Sequence, residues 1–272
     1  MFQMKGIVLA GGLGTRLLPL TRITNKHLLP VFDRPMIYYP LQTLINAGIT
    51  DILLVTGGHH AGDFLRLLGN GREFGLAHLN YTYQEGEGGI AAALALAEHF
   101  TDGQQLCVML GDNLIEGSIG PAVARFEGQG PGARIILKEV PDAERFGVAE
   151  LGDGRVVSIE EKPRRPKSRY AVTGIYMYDA RVFDVIRSLR PSGRGELEIT
   201  DVNNWYLAQG ELACEILDGW WTDAGTMESL HRAGNLVAET GANKVDGPTT
   251  RPPDADGVQR PAGRSRASQA PA

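Results

Sequence analysis

The chain has 272 residues, of which 43% are hydrophobic and 22% charged, a balance that is ordinary for a globular protein with a full core. Its formal net charge of −5 argues against a nucleic acid polymer as the main partner, because such binding depends on many lysines and arginines. The apolar run GIVLA near the start is too short for a signal sequence, and no later run approaches a membrane span. We therefore expect a cytoplasmic protein that is neither secreted nor inserted in a membrane.

Strand-like and helix-like patterns alternate through residue 110. Runs rich in Val, Ile and Leu alternate with amphipathic runs, which predicts parallel strands covered on both faces by helices and joined by right-handed crossovers. In chain order these elements are strand KGIVLA, helix MIYYPLQTLINAG, strand DILLVT, helix AGDFLRLLG, strand LNYTYQ, helix GIAAALALAEHF and strand QLCVML. The first half is predicted to be a doubly wound α/β core.

The second half is predicted to be richer in β-structure. Strands are expected over 147–150, 156–160 and 171–178, and helices over 180–188, 199–209 and 227–239. The segment 242–272 has many prolines and almost no large apolar side chain, so burial cannot offset its ordering entropy. We expect a folded body over 1–241 and a disordered tail, rich in Pro, Ala and Arg, over 242–272.

The two cysteines are expected to be free and buried. Cys107 and Cys214 stand in the apolar, strand-like runs LCVML and LACEI, and neither belongs to a CxxC motif. This pattern is typical of core thiols rather than of disulfides or metal ligands, and it fits a reducing compartment.

The loop after the first strand, within LAGGLGTRLLPLTRITNKHLLP, combines glycines with fixed positive charge. A dinucleotide fingerprint would need a glycine where Leu17 stands, and the GK[ST] of a P-loop is absent. What remains is GGxGTRL, whose glycines let backbone N–H groups approach an anion while Arg16 and Lys26 add charge. The pattern predicts a polyphosphate-binding loop, although on the loop alone a tight turn with solvated cations is an equal interpretation.

Several long motifs in the chain resemble those of the sugar-1-phosphate nucleotidyltransferases. They begin with GIVLAGGLGTRLLPLTRITNKHLLPVFDRPMIYYPL and continue with LLGNGREFGL, VMLGDNLIEG, ERFGVAEL, SIEEKPRRPKSRYAVTGIYMYD, RGELEITDVN and WWTDAGTMESL. The likeness covers about residues 4–239. It implies a Rossmann-like, doubly wound mixed sheet in a single catalytic domain, with a nucleotide-binding half over about 1–115 and a β-rich, sugar-phosphate-binding half over 116–241.

The branch of the family that these motifs resemble most joins glucose 1-phosphate to dTTP, releases pyrophosphate and depends on Mg²⁺. This reaction opens the synthesis of dTDP-deoxysugars such as rhamnose. The resemblance implies that Arg16 and Lys26 hold the β and γ phosphates and that Lys162 holds the sugar phosphate. It also implies that Asp112 and Asp223, remote from each other in the chain, bind one Mg²⁺.

The same resemblance assigns the residues that line the two substrates. The implied nucleotide-binding residues are Leu9, Gly11, Gly12, Gly14, Thr15, Arg16, Gln84 and Gly89. The implied sugar-phosphate-binding residues are Gly147, Glu161, Lys162, Val172, Arg194 and Trp221. Within this set, the Gln84 amide suits the imide edge of thymine or uracil, and Glu161 would accept hydrogen bonds from sugar hydroxyls.

Plainer interpretations of these residues exist. Asp112 is also a typical turn-capping aspartate after a strand, and Arg194 reads as a surface loop residue. Glu161 and Lys162 are adjacent in a strand-like run, where alternate side chains face opposite sides, so they would ordinarily be an exposed charged pair.

Two positions depart from the family pattern and leave the base preference open. Ala92 stands where glutamine is frequent, and His27 stands where glutamine or another residue is found. A variant that uses UTP or another hexose 1-phosphate is therefore one alternative. A catalytically silent sugar-nucleotide-binding subunit is another, but it should lack one of the five catalytic residues, and this chain keeps all five.

The expectations about regulation and assembly rest on the resemblance alone. Longer family members carry further C-terminal helices that help to form an effector site, whereas the family-like sequence here stops near Glu239. We therefore expect weak or absent feedback through such a site. Oligomers are usual in the family, which implies a homodimer or homotetramer.

Overall fold

The structure is a computed structural model that describes residues 4–245. Its strands are β1 (Lys5–Ala10), β2 (Pro30–Val31), β3 (Arg34–Pro35), β4 (Asp51–Gly57), β5 (His78–Gln84), β6 (Leu106–Leu110), β7 (Asn113–Ile115), β8 (Ala133–Glu139), β9 (Gly147–Gly152), β10 (Arg155–Glu161), β11 (Tyr170–Tyr178), β12 (Leu212–Ile216) and β13 (Trp221–Asp223). Its helices are α1 (Tyr38–Asn46), α2 (Ala61–Leu68), α3 (Ile90–Ala95), α4 (Glu98–Thr101), α5 (Gly120–Glu127), α6 (Val182–Ser188), α7 (Ile199–Ala208) and α8 (Met227–Thr240). Within the described part of the chain, no helix is long and apolar enough to cross a bilayer.

The main sheet is mixed and has nine strands among residues 4–245. Its path runs β10-β9-β11-β6-β1-β4-β5, and β8 and β12 extend it from β11. The strand β1 pairs in parallel with β4 on one side and with β6 on the other, and β5 continues the parallel set. The predicted Rossmann-like α/β class with a mixed sheet is thereby confirmed.

The central strands are buried on both faces, as their continuous apolar composition predicts. In β1, Val8 belongs to one hydrophobic cluster, whereas Ile7 and Leu9 belong to the cluster on the other face. Because successive side chains of a strand alternate, one short strand serves both clusters. This buried frame fixes the ends of the strands from which the site residues project.

The strand β11 runs antiparallel to β6 and carries an irregularity that matters for the site. Its register with β8 shifts between Val172 and Tyr176. A Cβ on Gly174, within this stretch, would lie 2.6 Å from Leu110 Cγ and 2.8 Å from Asn113 Cγ. Only glycine allows β11 to approach the end of β6 so closely.

A short ribbon joins the two halves of the chain at the end of β6. The strand β7 begins one residue after Asp112 and pairs antiparallel with β13, with Asn113 opposite Asp223. The backbone N–H of Ala224 donates to the carbonyl oxygen of Asp112 at 2.8 Å. The ribbon thus places the end of β13 beside the carboxyl end of β6.

The first residues of the predicted tail, 242–245, are packed on the body. Asn243 is 5% exposed, and its backbone N–H donates to the carbonyl oxygen of Ile115 at 3.0 Å. Its side chain accepts from Thr43 Oγ1 at 2.7 Å and donates to the Tyr39 carbonyl oxygen at 2.9 Å. The ordered chain therefore extends beyond the predicted boundary, and the rest of the predicted tail lies outside the described residues.

Two local predictions differ from the structure. The helix expected over 89–100 is two helices, because bonds from Leu96 to Ala93 and from Ala97 to Leu94 tighten the end of α3 into a 3₁₀-type turn. Cys107 is buried as expected, but Cys214 is only partly buried. Its strand, β12, pairs only with β8 among the described strands and leaves its other edge uncovered by the sheet.

Candidate active site

The glycine-rich loop after β1 packs against the end of β5. A Cβ on Gly11 would lie 2.5 Å from Gln84 Oε1, so a side chain there would displace the predicted base-recognition residue. Gly14 has a φ of 69°, and a Cβ there would lie 2.9 Å from Lys26 Cβ. A 3₁₀ turn over Thr15–Leu17 follows and carries Arg16. Glycine is therefore favoured at Gly14 by both contact and backbone conformation, whereas at Gly11 it leaves room for the amide end of Gln84.

Lys26 lies against Asp112, with 2.5 Å between its Nζ and the carboxylate Oδ2. Asn25 caps the short turn that carries Lys26, because its Oδ1 accepts from the backbone N–H of His27 at 3.0 Å. The same Oδ1 lies 2.7 Å from His27 Nδ1, which therefore carries the proton. Burial, and then the charge of Lys26, lower the pKa of His27 to about 3. His27 is thus a neutral, buried support for Lys26.

The carboxylates of Asp112 and Asp223 converge on one point. A Cβ built on Gly225 would lie 3.4 Å from Asp112 Oδ2, 3.2 Å from Asp223 Oδ2 and 3.1 Å from Arg16 Nη2. Asn113 holds Asp112 in place, since its Nδ2 donates to Asp112 Oδ1 at 3.0 Å. Its own Oδ1 accepts from Trp221 Nε1 at 2.7 Å, which ties the acid to β13. Two acids from distant segments and one arginine therefore face the same small volume.

The two acids differ in their ionisation. Burial raises the pKa of Asp112, but the charge of Lys26 and the hydrogen bonds from Lys26 and Asn113 outweigh burial and hold that pKa well below its usual range. Burial, and then the charge of Asp112, raise the pKa of Asp223 against the opposing charges of Arg145 and Arg16. Asp112 is therefore the firmly charged member of the pair. Negative charge on Asp223 depends more on a nearby cation.

Arg145 is a cation of the site that the sequence patterns did not single out. Its Nη2 lies 3.5 Å from both carboxylate oxygens of Asp223, and its Nη1 donates to Asp142 Oδ2 at 2.7 Å. The guanidinium carbon also lies 5.1 Å from the centroid of the Phe146 ring. Arg145 therefore contacts two carboxylates, those of Asp142 and Asp223, and shares its charge between them.

The residues predicted to bind the sugar phosphate lie on the other side of these acids. Glu161 ends β10, and Lys162 follows with a φ of 45°, in the left-handed region that non-glycine residues seldom adopt. The alternation expected for a continuous strand is therefore wrong at this step. The turn brings Lys162 Nζ to 3.6 Å from Glu161 Oε1, and both side chains line the same cavity.

Glu161 is oriented by the start of α7. Its Oε2 accepts from Thr200 Oγ1 at 2.6 Å, and its Oε1 lies 3.5 Å from Arg194 Nη2. A Cβ on Gly147 would lie 3.3 Å from Glu161 Oε2 and 3.8 Å from Val172 Cβ. The Glu161 carboxylate is therefore fixed rather than free to rotate, as a hydrogen-bond acceptor for a bound ligand must be.

Two cavities meet at the acids. One, of about 410 Å³, lies between the second-half strands and the loop of Arg194, and the other, of about 340 Å³, lies between the glycine-rich loop and the end of β5. Arg16 and Asp112 line both. Two ligands bound in these cavities would therefore meet beside Arg16 and the acids, at the carboxyl ends of the parallel strands, where α/β sheets usually bind ligands.

The structure brings together almost all of the residues that the sequence singled out. The larger cavity is lined by Arg16, Asp112, Gly147, Glu161, Lys162, Val172, Arg194, Trp221 and Asp223. The smaller cavity is lined by Leu9, Gly11, Gly12, Arg16, Lys26, Gln84, Gly89 and Asp112. Gly14 and Thr15 line neither and shape the loop instead. The chemical roles of these residues remain predictions.

Some contributors could not be found from sequence patterns. Asn113 and Thr200 hydrogen-bond to Asp112 and Glu161 and also line the larger cavity, and nothing in their spacing marks those contacts. Gly225 does stand in the motif WWTDAGTMESL, but a glycine after a strand is most simply a turn. Only the fold shows that a side chain there would enter the space between the acids.

The mixed sheet and the two-part cleft define an α/β protein of the Rossmann-like, nucleotide-sugar transferase type. Solved structures agree with this class. A crystal structure from Bacillus anthracis, assigned as a glucose-1-phosphate thymidylyltransferase and determined with sucrose, superposes with a TM-score of 0.84 at 52% identity and covers 87% of this chain and 96% of its own. UDP-glucose pyrophosphorylase complexed with UDP-glucose shares the fold at a TM-score of 0.76 and 21% identity, over 87% of this chain and 99% of that one.

Residues 5–240 match the nucleotidyl transferase family, and the chain belongs to it. Two curated relatives carry the same name. The glucose-1-phosphate thymidylyltransferase of Neisseria meningitidis is 49% identical over 238 residues, which are 86% of this chain and 82% of the relative. The protein of the same name from Mycobacterium tuberculosis is 46% identical over 238 residues, with the same coverage of both chains.

Proposed function

We propose that this chain is a glucose-1-phosphate thymidylyltransferase, which converts dTTP and α-D-glucose 1-phosphate into dTDP-glucose and pyrophosphate. The observation that carries the proposal is the meeting of two cavities, both lined by Arg16 and Asp112, beside a second acid. The relatives named above are called glucose-1-phosphate thymidylyltransferases. Glucose 1-phosphate would attack the α-phosphorus of dTTP directly, because adjacent sites let both substrates bind at once.

The nucleotide occupies the smaller cavity in this proposal. Gln84, at the end of β5, offers its amide to the imide edge of thymine, and Gly11 and Gly12 let the backbone approach the phosphates. Arg16 and Lys26 neutralise the β and γ phosphates, which leave as pyrophosphate. Lys26 reaches this position from a capped turn that also seats it against Asp112, so it is held before substrate arrives.

The donor set at the acids fits Mg²⁺. Asp112 and Asp223 supply only carboxylate oxygens, and no group of three or more His, Cys, Asp or Glu side chains among residues 4–245 forms a protein cage for a metal. Magnesium is typically bound by one or two carboxylates together with substrate phosphates and water. When bound, Mg²⁺ would neutralise negative charge on the α-phosphate. We propose Asp112 and Asp223 as its protein ligands.

Glucose 1-phosphate occupies the larger cavity. Lys162 and Arg194 bind its phosphate, and the fixed carboxylate of Glu161 accepts hydrogen bonds from sugar hydroxyls. Gly147 and Val172 line the sugar, and Trp221 forms an apolar wall. The protein contributes position and charge rather than a covalent intermediate, as nucleotidyl transfer requires.

The proposed organisation is one catalytic domain over about 1–241, whose halves share the main sheet. A cytoplasmic location is proposed because both cysteines are free, which suits a reducing compartment. A homo-oligomer is proposed only because oligomers are usual in the family.

A nucleotide panel tests the function. The chain is incubated with glucose 1-phosphate, Mg²⁺ and one of dTTP, UTP, CTP, ATP or GTP, and pyrophosphate release is followed. We expect the highest kcat/KM with dTTP and no release when glucose 1-phosphate is left out. Strong turnover with another nucleotide and none with dTTP would overturn the thymidylyl assignment, and no turnover with any nucleotide would favour a silent binding subunit.

A further inference from the structure

Arg194 is held by one carboxylate in a forked arrangement. Its Nε lies 3.2 Å from Glu198 Oε1 and its Nη2 lies 2.8 Å from Glu198 Oε2. Two parallel bonds of this kind fix the plane of a guanidinium, because its donors form a rigid fork. The side chain of Glu198 is only 11% exposed, so the carboxylate is the shielded partner of this pair.

Glu198 is itself fixed from two directions. It is the residue immediately before α7, and its Oε1 accepts from Ser192 Oγ at 2.7 Å. The backbone N–H of Arg194 donates to the same Ser192 Oγ at 3.2 Å. Ser192, Arg194 and Glu198 therefore close a compact loop in which the arginine has one preferred orientation.

The loop is also anchored to the nucleotide side of the cleft. The backbone N–H of Leu197 donates to the carbonyl oxygen of Gly88 at 2.9 Å, and Ala91 donates back to Leu197 at 3.2 Å. Gly89 has a φ of 92°, and a Cβ there would lie 2.6 Å from the Leu197 carbonyl oxygen. The position of Arg194 is thus set relative to the nucleotide cavity and not only to its own loop.

The fork leaves one donor group of Arg194 unused. Nε and Nη2 face Glu198, Nη2 also lies 3.5 Å from Glu161 Oε1, and Nη1 has no hydrogen-bond partner among the described residues. Arg194 is 42% exposed and lines the larger cavity. A guanidinium held on one edge can still offer its unused donor group to an anion.

We propose that Glu198 is a positioning residue, which orients Arg194 so that its unused donor group meets the phosphate of the sugar 1-phosphate. The inference rests on the proposed function, in which Arg194 binds that phosphate. Glu198 lines the same cavity, but its Oε1 accepts from Ser192 and Arg194 and its Oε2 accepts from Arg194, and its negative charge makes it no ligand for a phosphate. It acts by reducing the freedom that Arg194 must lose when the phosphate binds.

A competing interpretation predicts the opposite change in phosphate binding when Glu198 is replaced. If Glu198 merely neutralised Arg194, its removal would free positive charge and tighten the binding of a phosphate dianion. Glu196 provides the comparison, because its Oε2 lies 3.6 Å from the same Nη2 without forming a fork. Removing the charge of Glu196 makes the local potential more positive, as removal of the Glu198 charge does. It does not disturb the fork by which Glu198 orients Arg194.

The experiment measures steady-state kinetics of Glu198→Gln, Glu196→Gln and Arg194→Gln with dTTP and glucose 1-phosphate varied separately. For Glu198→Gln we expect KM for glucose 1-phosphate to rise about tenfold, while kcat and KM for dTTP change less than about twofold. Glu196→Gln should not raise KM for glucose 1-phosphate. Arg194→Gln should raise it at least as much as Glu198→Gln does.

Each outcome separates the two claims. An unchanged or lower KM in Glu198→Gln, together with a raised KM in Arg194→Gln, overturns the positioning role and leaves the proposed function standing. An unchanged KM in Arg194→Gln instead removes Arg194 from the phosphate site. Glu198→Asp keeps the charge but is too short to hold the same fork, and thermal unfolding of every variant checks the fold. If Glu198→Gln does not fold, a raised KM in a folded Glu198→Asp supports the inference and an unchanged KM overturns it.

Discussion

Asp112 and Asp223 lie at the same end of a two-stranded ribbon, and an oxygen from each lies within 3.4 Å of the Cβ position of Gly225. The ribbon pairs Asn113 with Asp223, so the two acids come from neighbouring ends of β6 and β13. Arg16 reaches the same point from the glycine-rich loop. Three segments that are remote in the chain thus share one site, which is the geometry that a metal-assisted transfer between two phosphorylated substrates needs.

Neutralising either acid should abolish turnover. Asp112→Asn and Asp223→Asn keep the side-chain shape and remove the charge, and we expect kcat to fall by at least about 10³-fold in each. Pyrophosphate release at saturating Mg²⁺ measures the effect, and thermal unfolding checks the fold. Asp184→Asn, at an exposed aspartate paired with Arg187, is the control and should keep wild-type activity. Near-normal, Mg²⁺-dependent rates in both active-site variants would rule out their metal roles.

A methyl group at Gly225 should impair catalysis more than folding. In Gly225→Ala, the new Cβ would lie between 3.1 and 3.4 Å from Arg16 and both acids, so these groups would have to shift by a few tenths of an ångström. We expect kcat/KM to fall by roughly tenfold or more, because small misplacements of positioned groups are costly.

The matched control is Gly234→Ala within α8. A Cβ there has its nearest neighbour at 3.9 Å, the backbone nitrogen of Phe32. Because alanine is a better helix former than glycine, this variant should gain about 0.5 to 1 kcal/mol of stability and keep its activity. Equal kinetics for Gly225→Ala and wild type would contradict the crowding of the acids.

Asn243 should stabilise the fold from the end of the described chain. In Asn243→Ala, the side chain of Thr43 and the carbonyl oxygen of Tyr39 lose buried hydrogen bonds, and alanine must adopt a φ of 55°. We expect the free energy of unfolding to fall by about 3 kcal/mol in denaturant titrations. Lys244→Ala removes only an exposed ion pair to Glu116 and should change it far less. A loss below about 1 kcal/mol in Asn243→Ala would show that the contact is dispensable.

The two thiols should differ in reactivity. Burial raises the pKa of Cys107 to about 12, so its thiol stays neutral in the folded protein at pH 8. Cys214 is only partly buried. We expect a thiol reagent to label at most Cys214 in the native protein and both thiols after denaturation. Rapid labelling of Cys107 in the native Cys214→Ser variant would be inconsistent with its burial.

The raised pKa of Cys107 also has a consequence for stability in alkali. An unfolded thiol loses its proton near pH 9, whereas the folded one keeps it until about pH 12. The contribution of this group is therefore complete below pH 9 and declines as pH rises from there through 12. Wild type should lose stability over this range more steeply than Cys107→Ala, measured relative to each protein at pH 8.

Long, strongly patterned elements were predictable from the sequence. The strand β1 begins and ends at the expected residues because five of its six positions are buried in the sheet, and α8 carries a clear apolar stripe. The ribbon of β7 and β13 was not predictable, because three residues are too few for a period to show. The approach of Asp112 to Asp223 depends on that ribbon. Only the family resemblance therefore predicted that the two acids would lie close together.

Side-chain direction was the other limit. Alternation along a strand would have placed Glu161 and Lys162 on opposite faces, but the left-handed turn at Lys162 brings both into one cavity. From the sequence, Arg194 is interpreted as a surface arginine, and only the fold shows its forked hydrogen bonds to Glu198. Such contacts arise from tertiary packing and have no signature in the spacing of residues.

The most direct test of the central claim is to locate the metal. Crystals grown with Mn²⁺ and a non-hydrolysable dTTP analogue would be measured at the manganese absorption edge, where the anomalous signal marks the ion. We expect one strong peak within bonding distance of a carboxylate oxygen of Asp112 and of one of Asp223, in contact with the α-phosphate. A peak bound to the nucleotide but beyond bonding distance of one or both aspartates would contradict the claim.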